Sequence, residues 1–140
     1  MKARTVVGII VGFVSWWGIF LLSLTLMALL WPAFGKVGKS IQESGDYSVL
    51  TTGMLALLLS GYVYINGIAG WVTVRITGHK SAIWIACAPT AAYAVYEHLY
   101  VLWHMLPAWY NLGVVGFIYP LSFLGGSFAL TSPKTSSAGG

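Results

Sequence analysis

The segment from Val6 to Trp31 reads VVGIIVGFVSWWGIFLLSLTLMALLW and contains no charged side chain. A bilayer core about 30 Å thick is crossed by a helix of about 20 apolar residues, so this segment is long enough to span a membrane. It is also longer than the apolar core of an ordinary signal peptide, and no small-residue cleavage site follows it. We therefore predict an uncleaved first span that Pro32 ends, because proline lacks the backbone donor that a helix interior requires.

The rest of the chain has the same character. Charged residues make up 7% of the 140 residues and hydrophobic residues 58%, which leaves too little charge to solvate the surface of a water-soluble protein. Three further apolar segments are long enough to cross a bilayer: Val49–Val74, Ala82–Trp103 and Leu112–Leu130. We predict an all-α integral membrane four-helix bundle that forms one domain over residues 1–140. The glycine-rich segment 32–48 is predicted to be a loop with at most a short interfacial helix, and the Ser/Gly-rich tail 131–140 to be disordered.

The orientation follows from the distribution of lysine and arginine. If both termini are cytoplasmic, the inner side carries five of the seven basic residues and the outer side two. This asymmetry favours an N-in, C-in topology because cytoplasmic loops are enriched in basic residues. The inner residues are Lys2, Arg4, Arg75, Lys80 and Lys134, and the outer ones are Lys36 and Lys39.

Small residues recur at helical spacing and predict close helix packing. Gly8 and Gly12 form a GxxxG pair in the first span, and Gly53, Ser60 and Gly67 recur every seven residues in the second. Lipid provides no hydrophobic force between helices, so close backbone contact has to supply the attraction. These faces either pack the bundle internally or bind a helix of another subunit, and the sequence alone does not assign them.

Glu97 is the only charged residue inside a predicted span. It lies about 9 Å below the outer end of the third span, where an ionised carboxylate is costly unless it is paired or faces a polar crevice. In a straight α-helix Tyr93, Tyr100 and His104 share its face, and His98 lies about 100° away. This intramembrane polar cluster could accept a proton, bind a quinone head group or contribute to a metal site.

A structural role for Glu97 is the simpler expectation. A buried hydrogen bond or ion pair would hold spans or subunits together, with Tyr100, His98 or Thr25 as partner within the chain, or a basic residue of another subunit. Asn66, the second buried polar group, is expected to make an interhelical hydrogen bond to a residue at its own depth. Candidate partners at that depth are Ser15, Thr90 and Ser122.

The sequence contains no glycine-rich phosphate loop, CxxC or HExxH motif, and its three acidic residues leave little for paired acid–base chemistry. We therefore expect a non-catalytic accessory or assembly subunit that packs against a larger integral membrane complex, without metal, cofactor or nucleic acid. A homo-oligomer is the alternative assembly, and a bacterial inner membrane is the expected location. Two other functions stay open: a small oligomeric proton-coupled transporter that uses Glu97, and a subunit that contributes Glu97, His98 and Tyr100 to a quinone or haem pocket.

Overall fold

The computed structural model describes residues 2–131, and these residues form helices connected by short turns without any strand. Three of the helices are long and apolar enough to cross a membrane, namely α1, α3 and α5. The elements in chain order are α1 (Ala3–Leu30), α2 (Pro32–Ser44), a 3₁₀ turn (Tyr47–Val49), α3 (Thr52–Thr77), α4 (Ala82–Tyr96), a π-helical turn (Glu97–Val101) and α5 (Ala108–Thr131). The predicted disordered tail lies outside the described residues, except for Thr131 at the end of α5.

The segment after the first span is more ordered than the sequence predicted. It forms the 13-residue helix α2, with Pro32 in its first turn and Gly45 in the left-handed conformation at its C-cap. Its apolar side chains, Phe34, Val37 and Ile41, follow a helical spacing and face a cavity between the longer helices. The prediction of a loop underestimated this amphipathic pattern because the glycines at 35 and 38 obscured it.

Helix α3 is central, with α1 packed on one side and α5 on the other. The contact with α1 uses the predicted GxxxG pair: a Cβ at Gly8 would overlap Thr77, and one at Gly12 would overlap Thr73. Contact with α5 is closer still, because a Cβ at Gly125 would overlap the backbone oxygen of Gly67. Glycine at Gly8 and Gly12 therefore lets α1 approach the threonines of α3, and glycine at Gly125 allows direct backbone contact between α3 and α5.

Two of the three residues in the predicted small-residue stripe of α3 face away from the other helices, whereas the backbone of the third, Gly67, lies against Gly125 of α5. The Cβ direction of Gly67 points into open space, and Ser60 and Gly53 are exposed. The internal face of α3 is instead formed by Ala69, Gly70 and Thr73, which are buried. Small residues of α3 thus lie on two different faces: Gly70 is on the buried face, and Gly53 and Ser60 are on the exposed one.

The predicted third span is divided into two helical parts. The 15-residue helix α4 packs on α5, where Ile83 and Ile118 belong to the same buried core and the Cys87 thiol lies 3.4 Å from the Ser122 hydroxyl. The helical path then continues through the five-residue π turn to Val101. Pro89 lies inside α4 without ending it.

Candidate functional site

The π turn changes which residues of the third predicted span share a face. The Leu102 N–H donates to the Glu97 carbonyl oxygen at 2.8 Å, five residues back, so this turn contains one residue more than an α-helical turn. Glu97 and His98 consequently both line a cavity, whereas Tyr100 is 76% exposed and His104 is also exposed. The face expected for a straight helix therefore extends only over Tyr93 and Glu97. Tyr100 and His104 lie outside the cavity.

The side chain of His98 is held by Asn111, which lies near the start of α5. Its Nδ1 lies 3.0 Å from the Asn111 Oδ1, and Asn111 is completely buried. The Asn111 amide nitrogen donates to the carbonyl oxygens of Leu106, at 3.1 Å, and Leu102, at 3.4 Å. Since carbonyl oxygens only accept, these two bonds fix the orientation of the amide, and His98 Nδ1 must be the donor to Asn111. In the neutral ring Nε2 is then a hydrogen-bond acceptor.

Glu97 is half-buried and lies one helical turn after Tyr93, which lines the same cavity. Thr25, considered above as a partner, instead donates its hydroxyl to the carbonyl oxygen of Leu21 at 2.9 Å. Tyr100 is directed away from the cavity, as its exposure indicates. Two of the partners expected for Glu97 within the chain, Tyr100 and Thr25, are therefore directed elsewhere.

The cavity has a volume of about 330 Å³ and lies between all five helices. Helix α2 covers one side of it through Phe34, Val37 and Ile41, and Tyr47 of the 3₁₀ turn adds to the same wall. This volume lies at the lower end of the range for small-molecule sites, about 300–1,000 Å³. The aromatic residues of the wall are Trp16, Trp17, Phe20, Phe34, Tyr47, Tyr62, Tyr93 and Tyr110.

Asn66 anchors the aromatic wall on the α1–α3 side. The Trp16 Nε1–H donates to the Asn66 Oδ1 at 2.8 Å, and the Asn66 amide donates to the Tyr62 carbonyl oxygen at 2.7 Å. Trp16 also stacks on Phe20 with ring centroids 5.3 Å apart. Asn66 therefore makes an interhelical hydrogen bond, to the residue next to Ser15 rather than to Ser15, Thr90 or Ser122.

The charge on the cavity wall is one-sided. Among the described residues that form the wall, Glu97 is the only carboxylate, and none is lysine or arginine. No group of three or more His, Cys, Asp or Glu side chains in residues 2–131 is arranged to hold a metal ion. The wall can therefore offer a carboxylate, a histidine acceptor and aromatic faces to an occupant.

Several residues of this site were not singled out from the sequence. Asn111 lies between the third and fourth predicted spans, and its bond to His98 spans 13 residues without any periodic signal. Trp16 was counted as an apolar span residue, although its indole N–H requires a partner when buried. Phe34 and Ile41 carried a usable signal in their helical spacing, as described for α2.

No protein-family model, no curated protein and no solved structure matches this chain.

Proposed function

We propose that this protein is a non-catalytic accessory or assembly subunit that packs against a larger integral membrane complex through one face of α3. We define the open face of α3 as Gly53, Ser60, Tyr64 and Gly67. The observation that carries the proposal is the position of Tyr64 within this face.

Tyr64 lies at the middle of the 26-residue helix α3, and its side chain is 71% exposed. Tyrosine is favoured at the two membrane interfaces, where its hydroxyl meets water and head groups. At the centre of the bilayer those groups are about 15 Å away, beyond the reach of the side chain. Exposure of this hydroxyl to hydrocarbon is costly, and a partner helix with a hydrogen-bond acceptor at that depth would remove the cost.

The residues around Tyr64 suit a helix–helix contact. One turn away, the Cβ direction of Gly67 meets no atom within 4 Å. The Ser60 hydroxyl donates to the Ala56 carbonyl oxygen at 2.8 Å and needs no further partner. Beside them, side chains of α3 and α5 line a surface groove of about 460 Å³. Its wall is almost entirely apolar and includes Ile68, Trp71 and Leu124. Small residues beside a groove allow the close approach that stabilises contacts between membrane helices.

The same proposal places the chain in a bacterial inner membrane with four spans and both termini in the cytoplasm. Residues 82–101, α4 with the π turn, would form the remaining span, since 20 residues at 1.5 Å each rise about 30 Å. The Arg4 guanidinium donates to the Ile76 carbonyl oxygen, so the start of α1 lies beside the end of α3. This contact supports a common side for the basic residues at the N-terminus and those near the α3–α4 turn, as the positive-inside rule requires.

Cysteine labelling tests the topology. In a Cys87→Ala background we expect a membrane-impermeant maleimide to label Lys39→Cys, on α2, in intact spheroplasts. Lys80→Cys, in the α3–α4 turn, should react only after the membrane is opened. The reverse pattern, or equal labelling of both sites before permeabilisation, contradicts the proposed orientation.

Replacement of Gly67 by leucine tests the subunit contact. From its native membrane, in mild detergent, the tagged wild-type protein should co-purify with a stoichiometric, larger integral membrane protein. Gly67→Leu should abolish this association, because the new side chain occupies the open face and holds the partner helix away. A Cβ at Gly67 meets nothing within 4 Å inside the chain, so the thermal stability of the purified chain, measured alongside, should fall far less than partner retention.

Gly18→Leu provides the control, because Gly18 also lies in a long apolar helix and a Cβ there, as at Gly67, meets nothing within 4 Å. This variant should retain the partner. Equal retention by both variants contradicts docking through α3. A homo-oligomer that Gly67→Leu disrupts, with no larger partner, would identify the open face as a self-contact and reject the accessory-subunit proposal.

A further inference from the structure

The cavity beneath α2 contains an acidic group whose charge the surrounding wall does not balance. Glu97 lies half-buried on the wall, and the described residues of the wall include no lysine or arginine. Tyr93, one helical turn earlier on the same wall, is a neutral side chain and supplies no opposite charge. Ionised groups in apolar surroundings require a charged partner, so an occupant of the cavity is the natural source of the opposite charge.

The remaining wall suits a cation with an apolar body. Trp16, Trp17 and Tyr62 lie on the same wall as Glu97, and the Trp17 and Tyr93 rings meet edge to face with centroids 5.7 Å apart. The faces of such rings carry negative potential and attract ammonium groups, most strongly where water is excluded. His98 adds an acceptor on this wall when its ring is neutral, because its Nδ1 proton is committed to Asn111.

We propose that this cavity binds a small hydrophobic organic cation, an amine in its ammonium form or a quaternary ammonium, with the cationic nitrogen beside Glu97 and the apolar body against the aromatic wall. The site uses residues of all five helices and the π turn, and its α3 residues, Leu58 and Tyr62, do not belong to the open face of α3. It is therefore independent of the subunit contact proposed above.

A quinone head group matches the tyrosine hydroxyls of the wall, which can donate to it, but not its carboxylate. Quinone oxygens only accept hydrogen bonds, and an ionised Glu97 also only accepts. The Nδ1–H of His98, which would be a donor to a quinone oxygen, is used within the protein. An ammonium ion instead matches the carboxylate in charge and the aromatic faces in potential.

Calorimetric titration of the purified full chain in nanodiscs tests this site, with benzyltrimethylammonium as the probe. Zwitterionic lipid avoids electrostatic attraction of the probe to the membrane, and empty nanodiscs correct for partitioning. We expect saturable binding that neopentylbenzene, the uncharged carbon analogue of the probe, does not displace. Glu97→Gln should weaken binding about tenfold or more, because it removes the charge and keeps the shape.

Glu43→Gln is the matched control. It changes the net charge of the protein by the same amount, but Glu43 lies on the exposed side of α2, where it pairs with Lys39 at 3.8 Å. Binding should be unchanged in this variant. Trp17→Leu removes an aromatic ring from the wall without changing the charge and should weaken binding several-fold. This variant keeps the proposal testable if Glu97→Gln does not fold.

Four results would overturn the proposal. The first is the absence of saturable probe binding to the folded wild-type protein. The second is equal affinity in Glu97→Gln and Glu43→Gln, or, where Glu97→Gln does not fold, undiminished affinity in Trp17→Leu. The third is displacement of the probe by neopentylbenzene, which would indicate an apolar site without charge recognition. Binding of decylubiquinone in place of the cation would likewise assign the cavity to a quinone.

Discussion

Replacing Gly125 by alanine should lower the free energy of unfolding by about 2–4 kcal/mol, although only one methyl group is added. The new Cβ would overlap the backbone oxygen of Gly67 on α3. A backbone atom cannot rotate out of the way as the end of a side chain can, so α3 and α5 have to move apart along their contact. Gly70→Ala should behave in the same way, because its Cβ would overlap the backbone of Ser122.

Unfolding by sodium dodecyl sulfate in mixed micelles, followed by circular dichroism, measures this effect. Gly116→Ala is the control on the same helix, since a Cβ there meets nothing within 4 Å. It should leave stability unchanged or raise it by up to about 1 kcal/mol, because alanine favours the helix over glycine. If Gly125→Ala and Gly116→Ala have equal stabilities, the close α3–α5 contact is wrong.

The same glycines show which parts of the fold could be predicted from the sequence. The long apolar helices were predictable because hydropathy and length alone determine which segments can cross a bilayer. The GxxxG pair was visible in the sequence, and Gly8 and Gly12 lie against Thr77 and Thr73 of α3. By contrast, Gly67 and Gly70 lie within one turn of each other, and only the positions of α1 and α5 determine which of the two Cβ directions is blocked.

The candidate site was less predictable, and one structural feature explains much of the difference. Reasoning from a straight helix grouped Glu97 with Tyr100 and His104, but the π turn adds a residue and rotates everything beyond it. No composition signal marks a π turn. Asn111 could not be predicted as a site residue either, because its contact with His98 depends on the path of the chain between His98 and α5.

Asn111→Leu is expected to be the most damaging change at the site, lowering the free energy of unfolding by about 3 kcal/mol or more. Leucine has a similar shape but removes the bonds that Asn111 makes to two buried polar groups, the His98 Nδ1–H and the Leu106 carbonyl oxygen. The Leu102 carbonyl oxygen keeps its bonds from the backbone N–H groups of Met105 and Leu106. Each unsatisfied buried group costs about 1–3 kcal/mol. His98, Leu102 and Leu106 are at most 7% exposed, so water cannot easily replace the lost bonds.

Gln42→Leu makes the same change, from carboxamide to leucine, at an exposed position of α2 and should alter stability by less than about 0.5 kcal/mol. A double-mutant cycle with His98→Phe then isolates the bond between the two side chains. Because His98→Phe removes one of the groups that Asn111→Leu leaves unpaired, the double variant should lose less stability than the sum of the single variants. Additive losses would mean that Asn111 stabilises the protein through the turn carbonyls alone, and that the orientation of His98 does not depend on it.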